Sequence, residues 1–288
     1  MRLIATDLDG TLLNEDHEVS KENAQAIQKA KDHGIEFVVA TGRTYNAAKK
    51  PLEKVGITCP IICLNGANIY TENETLIRSV PLEKETVQKI QQTCEEHNLY
   101  FEAFTNQGGF STDREKFVRV LVDILTSANP SLKREDVAMM ARQRFQDEEI
   151  EVIDHFEELF SRPDLDVYKI LAFSITSDKL QQAHDQLGNE KGIAITSSGD
   201  RNLEFNHPNA QKGLALQLYS EQLGIEMKDV MALGDNYNDV SMLEMAGLGV
   251  AMGNADETIK NLSNFTTKSN IENGVAFAIE ELLKNNIG

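Results

Sequence analysis

Short apolar runs alternate with segments of helical period along the first part of the chain, and each run ends in polar or glycine residues. Leu3-Ile4-Ala5-Thr6 leads into Asp7-Leu8-Asp9-Gly10-Thr11. The stretch 20–33 then has Ser20 at the N-cap position, Ala24, Ile27 and Ala30 on one face, and Gly34 as its stop. Ile35-Glu36-Phe37-Val38-Val39-Ala40 is β-rich and breaks at Thr41-Gly42-Arg43. A helix is expected over 44–55, after which Pro60-Ile61-Ile62-Cys63-Leu64 runs into Asn65-Gly66. Strand, helix, strand, helix, strand predicts a parallel sheet with right-handed crossovers. Ligands of open α/β sheets bind beyond the carboxyl ends of the strands, which is where these polar stops fall.

From Pro81 the pattern changes. A helix is expected over 82–97, and Tyr100-Phe101-Glu102-Ala103-Phe104 alternates like a half-exposed strand. Phe117, Val118, Leu121, Ile124 and Leu125 form one apolar helix face inside a long charged stretch. The acidic run from Asp147-Glu148-Glu149 through Glu157-Glu158 reads as a solvated helix face. A strand over 168–175 and a helix over 178–187 follow. Ile193-Ala194-Ile195-Thr196 and Asn202-Leu203-Glu204-Phe205 read as paired strands joined by a Ser198-Gly199-Asp200 turn.

The earlier pattern returns at Gln211-Lys212-Gly213, which opens a helix to 223. Val230-Met231-Ala232-Leu233 reads as a buried strand ending in Gly234-Asp235-Asn236-Tyr237-Asn238-Asp239. A helix over 240–246, a strand over 248–252 and a closing helix over 275–283 complete the chain. The fold expected is therefore α/β, a doubly wound, Rossmann-like parallel-sheet core with an inserted α+β cap domain. The core would comprise 1–81 and 208–288, and the cap 82–207.

Composition narrows the partners. Lys plus Arg number 28 against 46 Asp plus Glu, a formal net charge of −18. Such a surface repels polyanions, so no nucleic acid and no anionic membrane is expected as partner. Any positive charge used on an anionic substrate must be concentrated in its site. Cys59, Cys63 and Cys94 are odd in number and form no C-x-x-C pair, which reads as buried free thiols in a reducing compartment. Neither a signal-peptide pattern nor a membrane-length apolar stretch is present, so a cytoplasmic location is expected.

Asp7 and Asp9, one residue apart at a strand end, carry the densest chemistry. Like charges at this spacing repel unless a cation lies between them or one takes a proton. That predicts a hard-metal site, with Mg2+ on oxygen ligands. Gly10 permits a tight backbone turn, and Thr11 adds a hydroxyl. A solvated Asp-Gly turn would look the same in isolation. Three further polar clusters stand at strand or helix ends, however: Thr41-Gly42-Arg43, Lys212, and Asp235 with Asn238 and Asp239. A Lys in the first turn of a helix opposes the macrodipole, which suggests an anion nearby.

In order, spacing and strand context, these four clusters resemble the motifs of the haloacid dehalogenase (HAD) superfamily of phosphotransferases. Ala40-Thr41-Gly42-Arg43, Leu64-Asn65-Gly66-Ala67, Lys212-Gly213 and Gly234-Asp235-x-x-Asn238-Asp239 look like the type IIB, or Cof-type, sugar-phosphate phosphatases, as does the insertion after the second cluster. The resemblance implies Asp7 as nucleophile and Asp9 as general acid and base, with Mg2+ held by Asp7, the Asp9 backbone carbonyl and Asp235. It also implies that the Leu8 N–H, Thr41, the Gly42 N–H, Lys212 and Asn238 hold phosphoryl oxygens. Asp239 would position either Lys212 or a metal-bound water. Arg43 reads equally as a surface arginine and as a substrate clamp. Asn65 reads equally as a turn residue and as a substrate contact.

The function expected is Mg2+-dependent hydrolysis of a small phosphorylated metabolite, a sugar phosphate foremost, through an aspartyl-phosphate. The alternatives are a sugar phosphomutase and a non-catalytic metabolite sensor. Intact Asp7, Asp9, Lys212 and Asp235 speak against the sensor. Substrate choice is expected to lie in the cap, with Phe104, Phe110, Tyr168 and Lys169 as candidates. His207, Asn209 and Glu204 are placed between linker or structural roles and hydroxyl recognition.

Overall fold

The computed structural model describes residues 1–128, 131–147, 149–197 and 201–285. The chain divides into two compact units, Met1–Ser79 with Asn209–Gly288, and Val80–Pro208. The first segment of unit one runs β1 (Leu3–Thr6), α1 (Lys21–Asp32), β2 (Glu36–Ala40), α2 (Tyr45–Glu53), β3 (Ile61–Cys63), β4 (Asn68–Tyr70) and β5 (Leu76–Ser79). Unit two contains α3 (Lys84–Glu96), β6 (Tyr100–Thr105), β7 (Gly108–Ser111), α4 (Arg114–Ala128), α5 (Arg134–Asp147), β8 (Ile150–Val152), α6 (Phe156–Phe160), β9 (Val167–Phe173), α7 (Ser177–Leu187), β10 (Ala194–Thr196) and β11 (Asn202–Asn206). Unit one resumes with α8 (Lys212–Gln222), β12 (Val230–Gly234), α9 (Val240–Met245), β13 (Leu248–Ala251), α10 (Glu257–Leu262), β14 (Phe265–Thr266) and α11 (Gly274–Asn285).

Unit one is built on an eight-stranded sheet in the order β14-β13-β12-β1-β2-β3-β4-β5. Pairing is parallel from β14 to β3 and antiparallel across β4 and β5. β1 lies in the middle, paired with β12 on one side and β2 on the other, so it is buried along its length. Leu3, Ala5, Val38, Val230 and Ala232 pack against Leu216, Leu243 and Ile259 from the helices. Burial on this scale contributes about 1.5–3 kcal/mol per large aliphatic side chain. α1 starts where its cap dictates, with Ser20 Oγ accepting from the Asn23 N–H at 3.1 Å. Its buried face is Asn23, Ala26, Ile27 and Ala30, whereas Ala24, expected on that face, is half-buried.

Unit two has a six-stranded sheet in the order β10-β11-β9-β6-β7-β8. All its pairs are antiparallel except β7 with β8. Phe101, Ala103, Ile170, Ala172, Leu203 and Phe205 alternate onto one face and pack with Val87, Ile90, Leu180 and Ala183 of α3 and α7. Lys169, Leu171 and Glu204 fall on the other face by the same alternation.

Several elements depart from the hydrophobic pattern. β4 and β5 form a short hairpin at the sheet edge where no strand was expected, because three- and four-residue strands carry too few positions to show a period. β7 begins Gly108-Gly109, a pair that reads as a turn. The acidic run is not one helix face: it contains strand β8 and the short helix α6, with Glu151, Glu157 and Glu158 exposed. Glu148 of that run and the expected Ser198-Gly199-Asp200 turn lie outside the described residues. Among the described residues no helix is long and apolar enough to cross a membrane.

Candidate active site

β1 delivers Asp7 at its carboxyl end, where the Asp7 N–H donates to the Leu233 carbonyl of β12 at 3.0 Å. Leu8 follows directly, and the chain then turns through Gly10 with φ +75°. A Cβ on Gly10 would lie 2.3 Å from Asp235 Oδ2, so only glycine lets this loop close onto the carboxylate. The Thr11 hydroxyl donates to Asp235 Oδ1 at 2.8 Å. The hydroxyl that Thr11 adds to this region thus orients Asp235. The loop is fastened from beyond β13, two strands away, by Asn254, whose Nδ2 donates to the Gly10 carbonyl at 2.8 Å. Asn254 was missed in the sequence; its place just beyond β13, at a strand's carboxyl end, was the available signal.

Lys212, the first residue of α8, is fully buried. Its ammonium donates to Asp7 Oδ1 at 2.7 Å and to Asp239 Oδ1 at 2.6 Å. Asp239 Oδ2 accepts the backbone N–H groups of Asp235 at 3.0 Å and Asn236 at 3.1 Å. This carboxylate accepts one ammonium and two amides, and so it fixes both Lys212 and the turn that carries Asp235. Burial alone would lower the Lys212 pKa, but the charges of Asp239 and Asp7 outweigh it and raise it. Lys212 therefore stays charged.

Asp7, Asp235 and Asp239 each place a carboxylate oxygen within 4.8 Å of the others. Burial pushes Asp7 well above the ordinary carboxylate range; Lys212 opposes this, while Asp239, Asp235 and Asp9 add to it. Asp235 is raised to about 7 by burial and by Asp239. Carboxylates pushed up in this way have less positive charge around them than they need, and a divalent cation on oxygen ligands meets that need. The donor set fits such an ion. Because the Asp239 oxygens are already committed, Asp7 and Asp235 are the side chains suited to hold it.

The Asp9 side chain points elsewhere. Arg43 donates from Nε to Asp9 Oδ2 at 2.7 Å and from Nη2 to Oδ1 at 2.5 Å. Burial would raise the Asp9 pKa, but the hydrogen bonds and charge of Arg43 hold it below its ordinary value. Thr41 is buried, with its N–H on the Ile62 carbonyl at 2.8 Å and its hydroxyl accepting the Arg43 N–H at 3.1 Å. Gly42 lies between them, beyond the end of β2. Asn65 has φ +59° in the turn after β3, and its Oδ1 accepts from Asn238 Nδ2 at 3.4 Å. Asn238 Oδ1 is buried without a hydrogen-bond partner. The structure thus brings Asp7, Asp235, Asp239 and Lys212 into one cluster, pairs Asp9 with Arg43, and pairs Asn65 with Asn238.

Phe104, Phe110, Tyr168, Lys169 and Glu204 are all buried, Phe110 in the hydrophobic core of unit two. Lys169 Nζ lies 4.8 Å above the Phe104 ring and 4.0 Å from Glu204 Oε2. All three cysteines are buried and free, and burial raises each thiol, Cys59 to about 12. They are inert at neutral pH.

A family model for haloacid dehalogenase-like hydrolases matches residues 4–279. A Bacillus subtilis protein named 5-amino-6-(5-phospho-D-ribitylamino)uracil phosphatase YwtE is 40% identical over 284 residues, covering 98% of each chain. Phosphatase YwpJ of the same organism is 37% identical over 285 residues, covering 98% of this chain and 100% of its own. The solved structure of a haloacid dehalogenase-like hydrolase from B. subtilis superposes with a TM-score of 0.89 at 37% identity, covering 98% of this chain and 100% of the other.

Proposed function

The chain belongs to the haloacid dehalogenase-like hydrolases, and on that footing we propose that it is a Mg2+-dependent phosphatase of small phosphorylated metabolites, acting through an aspartyl-phosphate. The observation that carries the reading is the Asp7–Lys212–Asp239 chain of ion pairs at the end of the central strand. It holds one oxygen of Asp7 in place beside a buried, permanently charged ammonium. An anionic nucleophile can then meet an anionic phosphate with positive charge already at hand.

In the first step the other Asp7 oxygen forms a bond to phosphorus while the ester bond to the leaving group breaks. Asp9, protonated and released from Arg43, gives its proton to the departing oxygen. In the second step water attacks phosphorus, Asp9 takes the water proton, and the bond between Asp7 and phosphorus breaks to release inorganic phosphate. Lys212, Asn238, Thr41 and the Leu8 and Gly42 amides hold the phosphoryl oxygens through both steps. Asp7, the Asp9 carbonyl and Asp235 would hold Mg2+, which would supply charge neutralisation between nucleophile and phosphate.

The substrate class we propose is a phosphomonoester of a sugar or sugar alcohol. The name of the 40% identical B. subtilis relative, a phosphoribitylamino-uracil phosphatase, supports it. Residues 82–207 would discriminate among leaving groups. Release of inorganic phosphate from a panel of sugar, sugar-alcohol, nucleotide and cofactor phosphates tests the reading, with the Asp7→Asn variant as blank. Rates with Mg2+ no higher than those of the blank across the panel would overturn it.

A further inference from the structure

Arg78 lies on β5, next to Ser79, where the first segment of unit one ends. Its Nε donates to the Gly66 carbonyl at 3.0 Å and its Nη2 to the Asn209 carbonyl at 2.5 Å. Asn209 is the residue at which the chain re-enters unit one. The outgoing strand, the turn after β3 and the returning segment therefore meet on one guanidinium. A planar fork with several donors can bridge two carbonyls on different segments, which an ammonium on a flexible stem does poorly. Charged donors also make the stronger hydrogen bonds.

The turn that Arg78 holds is pressed against the start of α8. Gly66 has φ +101°, and a Cβ there would fall 2.4 Å from the Gln211 carbonyl oxygen. That same carbonyl accepts the Ala215 N–H at 3.0 Å, one of the bonds that begin α8. The Gly66 turn is consequently packed directly on Gln211, the residue before Lys212. Asn65 sits in the same turn and is bonded by Asn238. Two of the groups assigned to the phosphoryl oxygens, Lys212 and Asn238, thus depend on a frame that Arg78 fastens without touching either.

We propose that Arg78 is a positioning residue for the phosphoryl site: it straps the outgoing and returning chain together and thereby fixes the Asn65 turn and the start of the Lys212 helix. This rests on the phosphatase reading above, and the test keeps the two apart. Arg78→Ala and Arg78→Lys are made in the full chain and compared with wild type by thermal unfolding, by hydrogen exchange over 64–67 and 209–215, and by kinetics on p-nitrophenyl phosphate with inorganic phosphate as inhibitor.

For Arg78→Ala we expect faster exchange in those two segments. The inhibition constant for phosphate and KM should each rise about tenfold, with a smaller change in kcat. Added guanidinium should restore part of the loss, and Arg78→Lys, which reaches one carbonyl, should fall between. If Arg78→Ala does not fold, Arg78→Lys carries the comparison. Unchanged exchange with an unchanged phosphate constant overturns the proposal. So does a lowered Tm with an unchanged phosphate constant, since the arginine would then be structural only. A wild type that hydrolyses no phosphate ester fails the phosphatase reading instead, and exchange still decides whether the strap exists.

Discussion

Arg43 grips both carboxylate oxygens of Asp9, at 2.7 and 2.5 Å, across 34 residues of sequence. The carboxylate is 48% exposed, so the pair adds little to stability, at most about 1 kcal/mol. Its effect is on the proton. With its pKa held down, Asp9 is ionised at rest, and any stability it gives is present at neutral pH and lost as pH falls through the lowered value. An acid for the leaving group must first leave Arg43. In Arg43→Ala the Asp9 titration should move upward, measured by carboxyl-carbon NMR on aspartate-labelled protein. An unmoved titration would mean that the pair does not form in solution.

Asp7→Asn should cut phosphate release by more than about a thousandfold while the far-UV spectrum stays native, because the amide has the shape of the carboxylate without its nucleophilicity. Substantial residual turnover would rule out the nucleophile assignment. Asp9→Asn should be nearly as slow but can still be phosphorylated by an ester with a good leaving group. Intact mass after an acid quench should then show a phosphoenzyme.

Lys212→Met removes the cation between two buried carboxylates, which costs about 3–5 kcal/mol when a buried pair is broken one-sidedly. Burial pushes the Asp7 pKa up, and Lys212 is the charge that opposes this. Without it Asp7 takes a proton, and at low pH the loss is relieved. The destabilisation measured by urea unfolding should therefore be larger at pH 8 than at pH 5.5. A loss independent of pH would contradict the coupling between Lys212 and Asp7.

Much of this was legible because the chemistry sits at strand ends. The runs before Asp7, Thr41, Asn65 and Asp235 are short, apolar and stopped by polar residues, so the central strands and their carboxyl-end loops could be read directly. Lys212 was legible as a cation at the wrong end of a helix. What could not be read is which partner each group takes. Asp9 on Arg43, Thr11 on Asp235 and Asn254 on Gly10 are contacts between segments, set by how the loops pack. Arg78 was invisible for a related reason: β5 is half-exposed, and its arginine acts on carbonyls that leave no trace in side-chain identity.

Metal and proton should compete at Asp235. Its pKa of about 7, against an ordinary 3.8, means that the folded chain holds this proton more tightly than the unfolded one. The resulting stability is complete below about 3.8 and is lost as pH rises through about 7. In EDTA, Tm should therefore fall between pH 5 and pH 8. Mg2+ at a hundredfold excess over its Kd adds about 2.7 kcal/mol, and its stabilisation should be greater at pH 8, where no proton must be displaced. Asp235→Asn should flatten both dependences. An equal Mg2+-induced shift at the two pH values would break the link between this carboxylate and the ion.

Lys169 offers the sharpest test of where substrate choice lies. It is buried in unit two on the sheet face opposite the hydrophobic core, between the Glu204 carboxylate and the Phe104 ring. None of these residues belongs to the cluster around Asp7, so a change here should leave phosphoryl transfer itself intact. If residues 82–207 sense the leaving group, Lys169→Met should change the ratio of kcat/KM between a sugar-alcohol phosphate and a nucleotide phosphate by about tenfold. The rate on p-nitrophenyl phosphate, whose leaving group presents little to recognise, should stay within about twofold. Thermal unfolding separates this from a loss of fold, since removing one partner of a buried ion pair also destabilises. A folded Lys169→Met protein with the same ratio among metabolites would shift the search for specificity to the loops of unit one, beginning with Arg43.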